Sequence, residues 1–278
     1  MQVDYQKMHG TGNVILVIDQ RVKNLPPPDV SAIRKLGNER TGPGFDQLMW
    51  IAPSDADHFV ATYRVFNADG SEVEQCGNGV RCVARYLSSK DKLPNQYTLK
   101  SPAGAVAVRV LDSGQVAVSM GAPVFDPARI PFVAARAELL YPLVVDSETL
   151  SVSALSMGNP HCILQVDEAA SAPVALLGSL IECHERFPNR TNVGFMHVSG
   201  PQVIELRVHE RGVGETLACG TGACAAVVTG RRLGLLDDDV RVRLPGGEVM
   251  VSWRGDNDPV WLTGDAELIS HGTIDLAE

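Results

Sequence analysis

Cys76-Gly77-Asn78-Gly79 and Cys219-Gly220-Thr221-Gly222 are two copies of one pattern, 143 residues apart in a chain of 278. Each copy opens an apolar stretch, Val80-Arg81-Cys82-Val83-Ala84 in one case and Ala223-Cys224-Ala225-Ala226-Val227 in the other. A Cys-Gly-x-Gly turn in front of a helix sets a sulfur among N–H groups that have no intrahelical acceptor. Those groups and the helix dipole favour thiolate over thiol. One such site in each half points to two cysteines facing each other across one cleft. That arrangement suits removal of a proton from one side of a carbon and its return from the other.

Further matches keep the same order along the chain, as a duplication requires. Gly12-Asn13 is echoed by Gly158-Asn159, and Arg40-Thr41-Gly42-Pro43-Gly44-Phe45 by Arg190-Thr191-Asn192-Val193-Gly194-Phe195. Asn67 precedes Cys76 by nine residues, as Glu210 precedes Cys219, and Glu72 and Glu215 coincide at the same offset. Short β-rich runs read as strands at Val14–Ile18, Phe59–Phe66, Ala105–Leu111 and Gln115–Met120 in the first half. The second half supplies Cys162–Val166, Val203–Val208, Val240–Leu244 and Val249–Trp253. Asp112-Ser113-Gly114 and Pro245-Gly246-Gly247 read as turns. Helices are expected from Gly79 to about Lys90 and from Gly222 to about Leu233. Both are apolar on most sides, hence buried. The expected fold is α+β. It has two pseudo-symmetric domains, each a curved antiparallel sheet or barrel wrapped around a central helix, with a boundary in Gly121–Pro127.

Composition excludes several classes. The net charge of −9 and the scattered Lys and Arg speak against nucleic acid or an anionic membrane as partner. No apolar run reaches a membrane span, and the start, Met1-Gln2-Val3-Asp4-Tyr5, lacks the charged and apolar regions of a signal peptide. Six cysteines in a long, ordinary chain point to a reduced, cytoplasmic protein rather than a disulfide framework. No C-x2-C pair supports a metal site, and Gly10-Thr11-Gly12 precedes a strand where a dinucleotide loop must follow one. No lysine has a persuasive pyridoxal context. Cys82 and Cys224 read as core packing, and Cys162 and Cys183 receive no role. Asn13, Gln47, Asn67, Asn159, Asn192, Glu210 and Arg211 are hydrogen-bonding and charged groups of the kind that grip an amino acid. His161, after Asn159-Pro160, is ambiguous between a structural and a catalytic role.

These residues resemble the diaminopimelate epimerase family over nearly the whole chain. The resemblance rests on Lys7–Asn13, Gly44-Phe45-Asp46-Gln47, Phe66–Ser71, Cys76–Cys82, Gly158-Asn159-Pro160-His161, Thr191–Phe195, His209-Glu210-Arg211-Gly212 and Cys219–Gly222. It implies cofactor-free epimerisation of LL-2,6-diaminopimelate to the meso isomer, with no metal, in the supply of lysine and cell-wall precursors. It implies domains at 1–121 and 122–265, residues 266–278 packing back on the first, and an active site in the cleft between them. Cys76 and Cys219 would be the acid–base pair, their protonation adjusted by His161 and Glu210. The N–H groups of Gly77, Asn78, Gly220 and Thr221 would hold the reacting carboxylate. Asn67, Asn159, Asn192, Glu210 and Arg211 would read the distal end, and Asn13 and Gln47 would line the same site. The chain departs from the family at Val14, where Asp is usual, and at Ser270, where a dimer-interface Tyr is common. The partner implied is a small-molecule amino acid, with a homodimer open. Rival readings are a proline, hydroxyproline or histidine racemase on the same fold, a thiol redox protein using Cys76 and Cys219, and a non-catalytic amino-acid-binding protein.

Overall fold

A computed structural model describes residues 2–73 and 76–276. The chain divides into two compact units, Met1–Ser119 with Thr263–Glu278, and Met120–Leu262. Residues 277–278, part of the segment expected to pack back on the first unit, lie outside the described residues.

In the first unit the elements are β1 (Gln2–Gly10), β2 (Asn13–Asp19), α1 (Val30–Gly37), β3 (Gln47–Ala52), β4 (Thr62–Asn67), β5 (Glu72–Val73), α2 (Gly77–Lys90), β6 (Gln96–Ser101), β7 (Gly104–Val110) and β8 (Val116–Ser119). The second unit has β9 (Tyr141–Val145), β10 (Glu148–Ser156), β11 (Pro160–Gln165), α3 (Val174–Glu182), β12 (Asn192–Gly200), β13 (Val203–Glu210), β14 (Gly214–Thr216), α4 (Gly220–Arg232), β15 (Asp239–Leu244) and β16 (Gly247–Ser252). Trp261–Gly264 is β17, and Glu267–Asp275 is β18, which returns to pair with β1.

The duplication is repeated in the pairing. β1/β2 is an antiparallel hairpin, β2/β3 is parallel, β3/β4 antiparallel, β4/β6 parallel, and β5 doubles back on β4. In the second unit β10/β11, β11/β12, β12/β13, β13/β15 and β14 on β13 repeat that sequence of senses. The sheets are therefore mixed, antiparallel with two parallel pairs in each unit. A parallel pair needs a crossover, and helices supply all four: α1, α2, α3 and α4.

The crossovers explain the apolar run Val14–Ile18. Ile15, Leu16, Val17 and Ile18 are all buried, because β2 is covered on both faces. Leu16, Ile18, Leu48, Trp50 and Phe66 form one core with Ile33 and Leu36 of α1. On its other side α2 touches β1, β2, β3, β7 and β8. In the second unit Ile181 and Val174 of α3 join Cys162, Leu164, Val193 and Phe195, while α4 touches β10, β11, β12, β13, β15 and β16. A helix touched by strands from so many sides is central, and residues 222–230 of α4 are all buried.

Candidate active site

Both central helices begin at a cysteine. Cys76 and Cys219 are the N-caps of α2 and α4, each with extended backbone dihedrals, so the helices start two residues earlier than the apolar pattern indicates. The last glycine of each motif is closely packed. A Cβ on Gly79 would lie 2.4 Å from Met49 Sδ, and one on Gly222 would lie 3.0 Å from Val208 Cγ2 and 3.3 Å from Cys219 Sγ. The caps differ in detail. Cys76 Sγ accepts from the Gly79 N–H at 3.4 Å, whereas Cys219 Sγ meets Thr221 Oγ1 at 3.6 Å. The first N–H groups of each helix, on Gly77, Asn78, Gly220 and Thr221, have no intrahelical acceptor by the geometry of the α-helix.

In the first unit the sequence-selected residues form two bonded groups. Asn78, in the first turn of α2, donates to Asn13 Oδ1. Gln47 Nε2 donates to Asn67 Oδ1 at 3.1 Å, because Gln47 and Asn67 are register partners on β3 and β4. Asn67 Nδ2 in turn donates to Ser71 Oγ at 3.0 Å, and Ser71 Oγ donates to Asp69 Oδ1 at 2.6 Å. This relay fixes which face of the Asn67 amide is donor and which acceptor. Gly10-Thr11-Gly12-Asn13 is the β1/β2 turn, with positive φ at both Thr11 and Gly12. A β-branched residue there is strained. The buried Arg81 donates from Nη2 to Thr11 Oγ1 at 2.8 Å and fastens that turn to α2. At Val14, where the family usually has Asp, the backbone N–H donates to Asp46 Oδ2 at 2.8 Å.

In the second unit the residues join into a continuous chain. His161 Nε2 bonds Asn159 Oδ1 at 3.0 Å, Asn159 Nδ2 donates to Thr221 Oγ1 at 3.3 Å, and Thr221 meets Cys219. His161 is fully buried. That burial, and secondly the charge of Arg211, pushes its pKa down to about 3, so the ring is neutral at ordinary pH. Its Nε2 carries the proton given to Asn159, and its Nδ1 has no partner among the described residues. Burial foremost, then the negative charge of Glu210, raises the Cys219 thiol well above its ordinary value, with Thr221 pulling the other way. Asn192 donates to Pro160 O at 3.0 Å and accepts the Arg211 N–H at 2.9 Å. The Arg211 side chain stays out of this chain: it is exposed and donates to Asn189 O at 3.2 Å.

Sequence reasoning passed over Thr216, Ser71, Asp69, Thr11 and Arg81, which hold selected residues, and Glu182, which is bonded to His209 and Gly212 on either side of Glu210-Arg211. Thr11, Asp69, Ser71 and Arg81 lie within the stretches that carry the family resemblance. Glu182 carries no local signal. Among the described residues no cluster of three His, Cys, Asp or Glu side chains is arranged to hold a metal ion, and no helix is long and apolar enough to cross a membrane.

The family model described as "Diaminopimelate epimerase" matches residues 5–125 and 153–269. A protein of that name from Thioalkalivibrio sulfidiphilus (strain HL-EbGR7) is 50% identical over 99% of this chain and 100% of its own length. Another from Alkalilimnicola ehrlichii (strain ATCC BAA-1101 / DSM 17681 / MLHE-1) is 47% identical, again over 99% and 100%. Among solved structures, a hydroxyproline epimerase from Agrobacterium vitis superposes with a TM-score of 0.72 at 15% identity, covering 98% of this chain and 92% of that one. A PhzF-family phenazine biosynthesis protein from Bacillus anthracis gives 0.69 at 15% identity, covering 99% of each. At that identity the structures speak to the fold alone, whereas the family model and the full-length relatives speak to kinship: the chain belongs to the diaminopimelate epimerase family.

Proposed function

We propose that this protein is an epimerase that converts LL-2,6-diaminopimelate to meso-diaminopimelate by a two-thiol reaction. The observation that carries the reading is the matched pair of cysteine N-caps, Cys76 on α2 and Cys219 on α4, in a chain of this family. One thiolate removes the α-proton, and the other thiol delivers a proton to the opposite face of the same carbon. The first sulfur ends as thiol and the second as thiolate, so charge and protons balance. The raised pKa of Cys219 supports it as the proton donor in the ligand-free enzyme. Cys76 is then the base for that direction, and the roles exchange for the reverse.

The reacting carboxylate is assigned to the N–H groups of Gly77, Asn78, Gly220 and Thr221, where helix N-termini favour an anion. Asn67, Asn159, Asn192, Glu210 and Arg211 are assigned to the distal amino-acid end, with Asn13 and Gln47 lining the same site. Glu210 holds Cys219 in its thiol form, which its place among the causes of the raised pKa supports. His161 is assigned to the opposite adjustment of the same thiol, through Asn159 and Thr221, whose bond pulls the Cys219 pKa down. We further assign the protein to the cytoplasm. A homodimer formed through β18, supported by the exposed Leu268 and Ile269, is tested by sedimentation.

The test is incubation of the reduced protein with LL-diaminopimelate in D2O, with chiral separation and mass analysis. Meso product carrying one solvent deuterium is expected. Turnover of proline, hydroxyproline or histidine with diaminopimelate left untouched overturns the reading in favour of another racemase.

A further inference from the structure

Glu182 is the last residue of α3, the crossover between β11 and β12, and it is 5% exposed. A carboxylate is costly to bury unless its oxygens are bonded. Its Oε2 bonds His209 Nε2 at 2.8 Å, and its Oε1 accepts from the Gly212 N–H at 2.9 Å and from Arg190 Nη1 at 3.3 Å. Burial would raise its pKa, but the bonds from His209, Gly212 and Arg190 outweigh it and leave the carboxyl below its usual range. His209 and Gly212 flank the dipeptide Glu210-Arg211. One carboxylate therefore grips both ends of the segment carrying two site residues.

Helix α3 is built to come this close. Gly178 stands one turn before Glu182, and a Cβ there would lie 2.6 Å from His209 Cβ and 2.7 Å from its Cγ. The other unit has an independent counterpart. Arg34 of α1 donates from Nε to Asp69 O at 2.6 Å, and a Cβ on Gly70 would lie 2.6 Å from Val30 Cγ1 at the start of α1. That turn follows Asn67, as the Glu182-bound turn follows Glu210. In both units a charged side chain on the first crossover helix holds the turn after a strand that ends in a site residue.

We infer that Glu182 is a positioning residue: it holds the His209–Gly212 turn so that Glu210 stays beside Cys219 and Arg211 stays oriented for the distal end of the substrate. The inference rests on the reading of Glu210 and Arg211 under Proposed function. Glu182 acts only through the turn.

The test uses Glu182→Gln and Glu182→Asp in the full chain, with Cys183→Ser, an exposed neighbour, as control. Three readouts are taken: hydrogen exchange of the peptide at 208–216 without ligand, KM and kcat for LL-diaminopimelate, and the pH profile of kcat/KM. In Glu182→Gln, exchange in the turn and KM should each rise about tenfold, the usual scale for loss of a charge-assisted buried bond. The alkaline limb of kcat/KM should move to lower pH, since a loosened Glu210 no longer raises the Cys219 pKa. Glu182→Asp should fall between wild type and Gln, and it decides the matter if thermal melting shows the Gln variant unfolded. Loss of melting temperature with wild-type exchange in the turn, wild-type KM and an unmoved pH limb overturns the proposal. If wild type fails to epimerise diaminopimelate, the functional reading falls, and the exchange measurement alone judges the clamp.

Discussion

Thr216 Oγ1 donates a 2.5 Å hydrogen bond to Glu210 Oε1, joining the strand that leads into the second cysteine motif to the carboxylate that acts on that cysteine. The bond exists because β14 folds back on β13, with Glu210 opposite Gly214 and Val208 opposite Thr216. It restricts Glu210 at its carboxylate, while Glu182 grips the segment at His209 and Gly212. Thr216→Val keeps the volume and removes the donor. We expect kcat/KM for diaminopimelate to fall by about tenfold, the scale of one bond to a charged group, with the melting temperature changed by a few degrees at most. Steady-state kinetics with a thermal melt checks this, and unaltered kinetics would detach Thr216 from the chemistry.

The two N-cap cysteines should be equally indispensable. General acid–base groups are worth roughly 10²–10⁴-fold, so Cys76→Ala and Cys219→Ala should each lose activity on that scale. Cys82 and Cys224 are fully buried in α2 and α4, and their Ala variants should keep most of kcat in the folded fraction. A progress curve for each variant on LL-diaminopimelate decides. Wild-type turnover by either N-cap variant removes the two-thiol reaction.

Arg211 presents an exposed guanidinium with its backbone N–H fixed by Asn192. A guanidinium takes a carboxylate through two parallel bonds, which a lysine ammonium cannot reproduce. Arg211→Lys should therefore raise KM for diaminopimelate, and Arg211→Ala should lower kcat/KM by about ten- to hundredfold, because remote binding also aligns the reacting carbon. Substrates without a second amino-acid end should show no such sensitivity. Parallel assays on diaminopimelate and proline read this out. Equal loss on both would assign Arg211 a structural role.

His161 links the site to stability. Its folded pKa of about 3 lies below the ordinary 6.5, so between those values the unfolded chain binds a proton that the folded chain does not. Stability should therefore fall as pH drops through that window, by about 1.4 kcal/mol per pH unit, or roughly 2 kcal/mol from pH 6.5 to 5. Below the folded pKa the loss levels off. His161→Gln, which can still donate to Asn159, should remove about one proton from the slope. Urea unfolding of both proteins across pH 4 to 7 tests it, and equal slopes would mean that His161 is charged in the fold.

Much of this molecule could be read along the chain. The repeated Cys-Gly-x-Gly motifs locate both central helices because an N-cap and the apolar residues after it are local in sequence. The strands at Val14–Ile18, Ala105–Leu111, Val203–Val208 and Val240–Leu244 stand close to β2, β7, β13 and β15, since alternating or continuous apolar runs report burial directly. Strands β1, β3, β5, β6, β9, β10, β12, β14, β17 and β18 and helices α1 and α3 were not expected from the sequence. Several mix polar and apolar residues, and β18 is exposed along most of its length.

The sequence by itself determined the duplication and the two cysteine-capped helices. Each of those is a matter of residue type and short-range spacing. Tertiary structure decided the parallel pairs β2/β3, β4/β6, β11/β12 and β13/β15, because a strand's partner depends on where its crossover helix can pack. It also decided which groups hold the selected residues in place: Thr216 on Glu210, Ser71 on Asn67, and Glu182 across the Glu210-Arg211 turn. Glu182 lies 27 residues from His209 in sequence, and no local pattern marks it. The need to satisfy a buried carboxylate is felt only once the chain has folded around it.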